Sequence, residues 1–199
     1  MLRDPPALFK GADGVEFRPK CFLNRKLSLD DIKYVKSVMC CTVNDVLLGV
    51  TSAALSRYYF RKTGETGKRN IKVRSTFIVN LRKMTGLHAT ASLCYALFKN
   101  TTILFSNMVG PTEQVALYGH PILYIAPSIY GQPHALTIHY QSYMNIVKLV
   151  LAIDEAQLPN VDGLLEDFIE SLKLIREAAS GKPRVVEERS REEHRHGET

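Results

Sequence analysis

What this sequence lacks narrows its reading before anything it contains. Its four cysteines, Cys21, Cys40, Cys41 and Cys94, include no CxxC pair, and the neighbours Cys40 and Cys41 are badly placed to bridge each other. A reduced, intracellular chain is the expectation that follows. The opening MLRDPPALFKGADG carries charges and two prolines where a signal peptide needs an apolar core, so it implies no secretion. The longest helix-like apolar stretch, Val43 to Phe60, is interrupted by Asn44, Asp45, Thr51, Ser52, Ser56 and Arg57, which is too polar for a bilayer span. Membrane contact is then peripheral, or made through a part of the protein outside these residues. Also absent are GxSxG, the Walker sequence, GxGxxG, HExxH and any metal-ligand spacing, so no metal site is expected.

What is present belongs to an ordinary globular chain. The 199 residues allow one domain or one and a fraction, taking about 150 residues per domain as the prior. An apolar content of 45% excludes collagen-like, wholly disordered and disulfide-scaffold readings. Charge is the skewed quantity, with 26 Lys plus Arg against 20 Asp plus Glu, a net +6. The excess is local. Nine cations between Arg57 and Lys83 face Glu65 alone, so the remainder of the chain is slightly acidic. A uniformly basic coat is missing and no nucleic-acid partner is expected; the patch reads as a solvated loop between buried elements.

Residues 1–27, rich in Pro, Gly and charge, read as an arm or linker. Order is expected from Ser28, an N-cap with Asp31 three residues on, followed by Leu29, Ile32, Val35 and Met39 at helical spacing to about Cys40. Thr42 and Asp45 repeat the capping pattern, and Val43, Leu47, Val50, Ala54 and Tyr58, widened by Leu48, Leu55 and Tyr59, mark a helix buried on most sides. Strands are expected at Ile71–Asn80, Thr101–Asn107, Ala135–Tyr143 and Ile146–Ile153, with an edge strand at Pro121–Ala126. Leu93–Phe98 is ambiguous. Met144 and Asn145 should close an antiparallel hairpin. A last helix runs from about Val161 to Ala179, ended by Gly181 and Pro183, and residues 181–199 form a charged tail expected to be disordered. The domain therefore spans 28–180, and grouped strands between helices indicate an α+β sandwich of two layers.

Few residues carry chemistry on their own evidence. His139, on a strand face with Thr137 and Gln141, is the best-placed proton-transfer candidate, although no carboxylate lies near it in sequence. Asn44 and Asp45 fall in the first turn of the buried helix, where capping is their plain role. Ser106 and Asn107 end a strand before a turn at Gly110 and Pro111, a place where polar side chains can meet a ligand oxygen.

Taken in order, TVNDVLLGVTSAALSRY at 42–58, IVNLR at 78–82, FSNMVGP at 105–111 and YGHPILYIAPSIYGQPHALTIHYQSYMN at 118–145 resemble the plant wax ester synthase/diacylglycerol acyltransferase family. GVEFRPK near residue 17, SLDDIKYVK at 28–36 and LLEDFIESLKLIREAA near the end extend the resemblance from about residue 10 to 180. It implies the C-terminal half of a fold like that of chloramphenicol acetyltransferase and other CoA-dependent acyltransferases. By resemblance, the activity is transfer of a fatty acyl group from acyl-CoA, the cosubstrate, to a long-chain alcohol or diacylglycerol, with no bound cofactor. A histidine of an HHxxxDG motif would take the hydroxyl proton while fixed donors hold the tetrahedral oxyanion. Asn44, Asp45, Asn80, Arg82, Ser106, Asn107, Gly110 and Pro111 would line the substrate and acyl channel. The endoplasmic reticulum or plasma membrane is the implied location.

Two departures qualify the resemblance. HHxxxDG does not occur in these residues, and VNLRKMTGLHA joins TASLCYALFKN directly where family members have a longer segment, which makes the join at 88–91 look shortened. The chain is therefore expected to be inactive alone. The alternative reading is a non-catalytic lipid- or partner-binding module, including association with a full-length relative.

Overall fold

The computed structural model describes residues 8–64, 75–77, 98 and 100–181. Helix α1, Leu29–Met39, starts where Ser28 accepts a hydrogen bond from the Asp31 amide, and it stops at Cys40 in a left-handed conformation. Helix α2, Val43–Thr63, begins with a complete capping box. Thr42 accepts from the Asp45 amide while the Asp45 carboxylate accepts from the Thr42 N–H at 2.8 Å and its hydroxyl at 2.7 Å. Helix α3, Val161–Ser180, is capped by Asn160. The capping and periodicity signals thus placed the starts of these three helices within a residue, and the pattern to Phe60 falls short of the observed end of α2 at Thr63.

Among the described residues, five strands form a mixed sheet. In chain order they are β1 (Cys21–Ser28), β2 (Ser75–Phe77), β3 (Ile103–Met108), β6 (Leu136–Tyr143) and β7 (Ile146–Ile153), and in space they run β1-β7-β6-β3-β2. The β6–β7 hairpin and the β7–β1 pair are antiparallel, whereas β6, β3 and β2 are parallel. Two short strands, β4 (Ala116–Leu117) and β5 (His120–Pro121), make a separate hairpin. The expected strand at Pro121–Ala126 is thus reduced to its first residue. The expected hairpin turn is present, with Met144 at φ 53°.

Residues 8–27 are more than an arm. Phe9 and Val15 are buried, and Cys21–Ser28 pairs along its whole length with β7. The pattern concealed this strand because it is an edge strand whose core-facing series includes Arg25, which pairs with Glu166 on α3 at 3.2 Å. Of the expected strand at Ile71–Asn80, Ser75–Phe77 is described; the rest, the join at 88–91, most of Leu93–Phe98 and the tail after Gly181 lie outside the described residues.

One sheet face carries the helices. Ile103 and Phe105, Leu136, Ile138 and Tyr140, and Leu149 and Leu151 join Ile32, Leu47, Val50, Leu164 and Phe168 in a single core. The alternate residues Leu104, Thr137, His139, Gln141, Tyr143 and Val150 point away from the helices and are nevertheless buried. The segment after β3 closes part of that second face: the Tyr143 hydroxyl accepts from the Val115 amide at 2.9 Å and donates to the Ile122 carbonyl at 2.8 Å.

Candidate functional site

Two motifs 63 residues apart in sequence meet at one corner of the fold. Asn44 is the second residue of α2, and Asn107 lies near the carboxyl end of β3. The Asn107 side-chain amide donates to Asn44 Oδ1 at 3.1 Å. The contact follows from parity. On β3 the odd-numbered Ile103 and Phe105 face the helices, so Asn107 does too, and it sits beside Tyr140 in the parallel register. Tyr140 in turn is held to α2 through a 2.9 Å hydrogen bond with Thr51, whose hydroxyl also donates to the Leu47 carbonyl. Burial raises the Tyr140 pKa, so the phenol stays protonated as part of this structural link. Asn44 and Asn107 are therefore fixed relative to one another by the packing of α2 on the sheet.

The other expected site residues divide. Asp45 is exposed and capping occupies its carboxylate; its hydrogen bonds from Thr42 lower its pKa. Ser106 points to the opposite face, in register with His139. Gly110 and Pro111 fasten the chain beside the end of β6, where the Gly110 amide donates to Ser142 Oγ at 3.1 Å and the Pro111 carbonyl accepts from the Met144 amide at 2.9 Å. A side chain at 110 has no room, since a Cβ there would lie 2.2 Å from the Ser142 carbonyl oxygen and 2.4 Å from Gln141 Nε2. Asn80 and Arg82 lie outside the described residues.

His139 is buried beneath that second face, its Nε2 has no hydrogen-bond partner among the described residues, and burial lowers its pKa. It is 2% exposed and on the opposite side of the sheet from Asn44 and Asn107, so the corner site does not include it. Thr42 braces the corner through the local cap with Asp45 that the spacing announces, whereas Ser142 and Tyr143 act through backbone contacts distant in sequence and carry no local signal. Among the described residues no cluster of His, Cys, Asp or Glu could hold a metal ion, and no single helix is long and apolar enough to cross a membrane.

The amide pair at the start of α2, beside the carboxyl end of the parallel strand β3, brings side-chain hydrogen-bond donors and acceptors together at one corner of the fold. The fold around it is that of the CoA-dependent acyltransferase class. It matches the solved wax ester synthase/diacylglycerol acyltransferase from Marinobacter aquaeolei VT8 with a TM-score of 0.69 at 17% identity, over 88% of this chain and 52% of that one. The family model described as WS/DGAT C-terminal domain matches residues 61–176. Among curated relatives, wax ester synthase/diacylglycerol acyltransferase 11 of Arabidopsis thaliana is 31% identical over 89% of this chain and 52% of its own length. Number 4 of the same plant is 34% identical over 79% of this chain and 45% of its own.

This chain belongs to the wax ester synthase/diacylglycerol acyltransferase family. It spans about half the length of the curated relatives it matches. The alignment to number 11 runs over 255 positions, more than the 199 residues of the chain, so that relative has residues within the matched region for which this chain has no counterpart.

Proposed function

We propose that these residues form the C-terminal half of an O-acyltransferase that moves a fatty acyl group from acyl-CoA to a long-chain alcohol or to diacylglycerol. The observation that carries the reading is the Asn107–Asn44 hydrogen bond, which unites the two polar motifs at one corner. In the reaction the acceptor oxygen attacks the thioester carbon, its proton passes to a base, and the CoA thiolate leaves. The corner amides bind and orient, offering donors and acceptors to the ester or thioester group. The base belongs to the HHxxxDG half, which these residues do not contain; its absence removes a factor of roughly 10²–10⁴ in rate. The aligned length, greater than that of the chain, supports the shortened join. Peripheral contact with the endoplasmic reticulum or plasma membrane belongs to the same proposal.

The test is ester synthesis from labelled palmitoyl-CoA with hexadecanol or dioleoylglycerol. The chain alone should give none, and coexpression with the N-terminal half of an Arabidopsis relative should restore product. Turnover by the isolated chain overturns the inactive-half reading. A relative's half that works with its own C-terminal half but never with this chain overturns the reading of the site.

A further inference from the structure

The three helices leave a groove where their ends meet. It has a volume of about 460 Å³ and lies between Val35 and Met39 of α1, Val46 near the start of α2, and Ile175 and Ala179 near the end of α3. Among the described residues no aromatic ring lines it, so its walls are aliphatic. Gly49, on the second turn of α2, also faces the groove. Glycine inside a helix is unfavourable relative to alanine, and the surrounding chain does not demand it. Its φ is not left-handed, and among the described residues a Cβ there would meet only Ile175 Cδ1, at an ordinary 3.9 Å. Unlike Gly110, which relieves a backbone contact, Gly49 keeps a space open.

Size and charge identify what fits the space. The volume falls in the range of small-ligand pockets, about 300–1,000 Å³. The helix faces around it carry exposed charge, Lys36 on α1 and Arg176 and Glu177 on α3, so the apolar area ends at the groove and is too small for a protein partner. One charged side chain belongs to the wall, that of Asp45. Both of its cap hydrogen bonds, from the Thr42 N–H and hydroxyl, go to Oδ2. Its carboxylate repels a carboxylate or phosphate head and accepts from a hydroxyl through Oδ1. The nearby cations do not reverse this sign at the wall, since Arg176 is paired with Asp31 at 2.7 Å and Lys36 is not part of the lining. We infer that the groove binds one alkyl chain of a neutral, hydroxyl-bearing lipid, of the class of long-chain primary alcohols, with its hydroxyl donating to Asp45 and its chain against Gly49. The site is separate from the Asn44–Asn107 corner, because Asn44 turns towards β3 while Asp45, one residue on, lines the groove. Binding there does not depend on the catalytic reading.

The groove carries its own reporter, the half-buried Cys41 on its wall. In the full chain with Cys40→Ser, maleimide modification of Cys41 is followed by mass spectrometry of its peptide, with 1-dodecanol and laurate as probes. Dodecanol at saturation should slow the modification about tenfold or more, and laurate at the same concentration much less. Asp45→Asn should remove the difference between alcohol and anion. Gly49→Leu, which fills the groove, should weaken dodecanol binding about tenfold or more without lowering Tm, since leucine is the better helix former. Ala178→Leu, at an exposed helix position on the facing wall, should act in the same direction and decides the matter where Gly49→Leu lowers Tm. No protection by dodecanol, equal protection by laurate, or undiminished protection in both filled variants overturns the inference. An alcohol preference that survives Asp45→Asn also overturns it. Two further results assign another occupant and do the same. Faster Cys41 modification without ligand in a chain ending at Gly181 gives the groove to the residues that follow, and a dimer by light scattering whose dissociation exposes Cys41 gives it to a second copy. Ester assays with the coexpressed N-terminal half report on the catalytic reading separately: protection without product leaves the groove standing, and product without protection removes it.

Discussion

His134 is fully buried, with Nε2 3.1 Å from the Thr101 hydroxyl, and burial, reinforced by the charge of Lys20, pulls its pKa down to about 4. In the folded chain it is therefore neutral at pH values where the unfolded chain protonates it, near 6.5. Its contribution to stability is complete above 6.5 and is lost as pH falls towards 4, to the order of 3 kcal/mol. His139, lowered by burial as well, adds a slope of the same sign. Urea unfolding at pH 7.5 and 5 should show a smaller loss of stability for His134→Gln than for the parent, whatever the variant costs at pH 7.5. An equal loss would place the proton elsewhere. Gly110 gives a second residue-scale expectation. Its φ is ordinary, so the constraint is space: a methyl group would have to displace the Ser142 carbonyl, backbone that cannot yield like a side chain. Gly110→Ala should cost about 1–3 kcal/mol, measured as a shift in the urea midpoint at unchanged slope. Pro111 followed from turn propensity alone, whereas the close approach that demands Gly110 is a tertiary fact invisible to spacing.

At the scale of elements, the legible features were those written locally. Thr42 with Asp45 and Ser28 with Asp31 announce the helix starts, and the alternation of Leu136, Ile138 and Tyr140 announces β6. The polar look of Thr137, His139 and Gln141 was misleading, because that face is buried as well. β1 was missed since its partner β7, more than a hundred residues away, supplies what its own pattern lacks. The basic patch also changes meaning where it is described. Arg61 makes two hydrogen bonds to the buried Asp167 carboxylate, at 2.8 and 2.6 Å, and Arg57 approaches it at 3.5 Å, so two of these cations join α2 to α3 instead of serving a solvated loop. Asp167 raises the Arg61 pKa. Both arginines are about half exposed, which limits their value, but removing Arg61 leaves a carboxylate that is 4% exposed with only the longer contact. Arg61→Met should cost about 1.5–3 kcal/mol and Arg57→Met clearly less. Thermal unfolding of the two single variants checks the order, and equal losses would show that the shorter, two-pronged geometry contributes nothing.

For the molecule as a whole, the open question is how much of the first 27 residues the fold needs. An arm reading makes them dispensable. The structure gives residues 8–27 two distinct jobs. Phe9 and Val15 fill the core, and Gln157 Nε2 on the loop after β7 donates to the Leu8 and Lys10 carbonyls. Cys21–Ser28 then satisfies the outer edge of β7, the strand whose other edge is taken by β6. Loss of the first contribution is a matter of buried area, about 1.5–3 kcal/mol for each of the two side chains. Loss of the second is of another kind, because it bares a continuous row of backbone donors and acceptors on β7, a strand whose core face is fully apolar, and so offers an edge for aggregation. A chain beginning at residue 20 should therefore remain soluble and cooperative with a lowered Tm, while one beginning at Ser28 should aggregate or fail to fold. The pair is read by gel filtration and thermal unfolding. Two truncations with the same solubility and the same Tm as the parent would return these residues to the status of an arm, and would mean that β7 can stand as the sheet edge without β1.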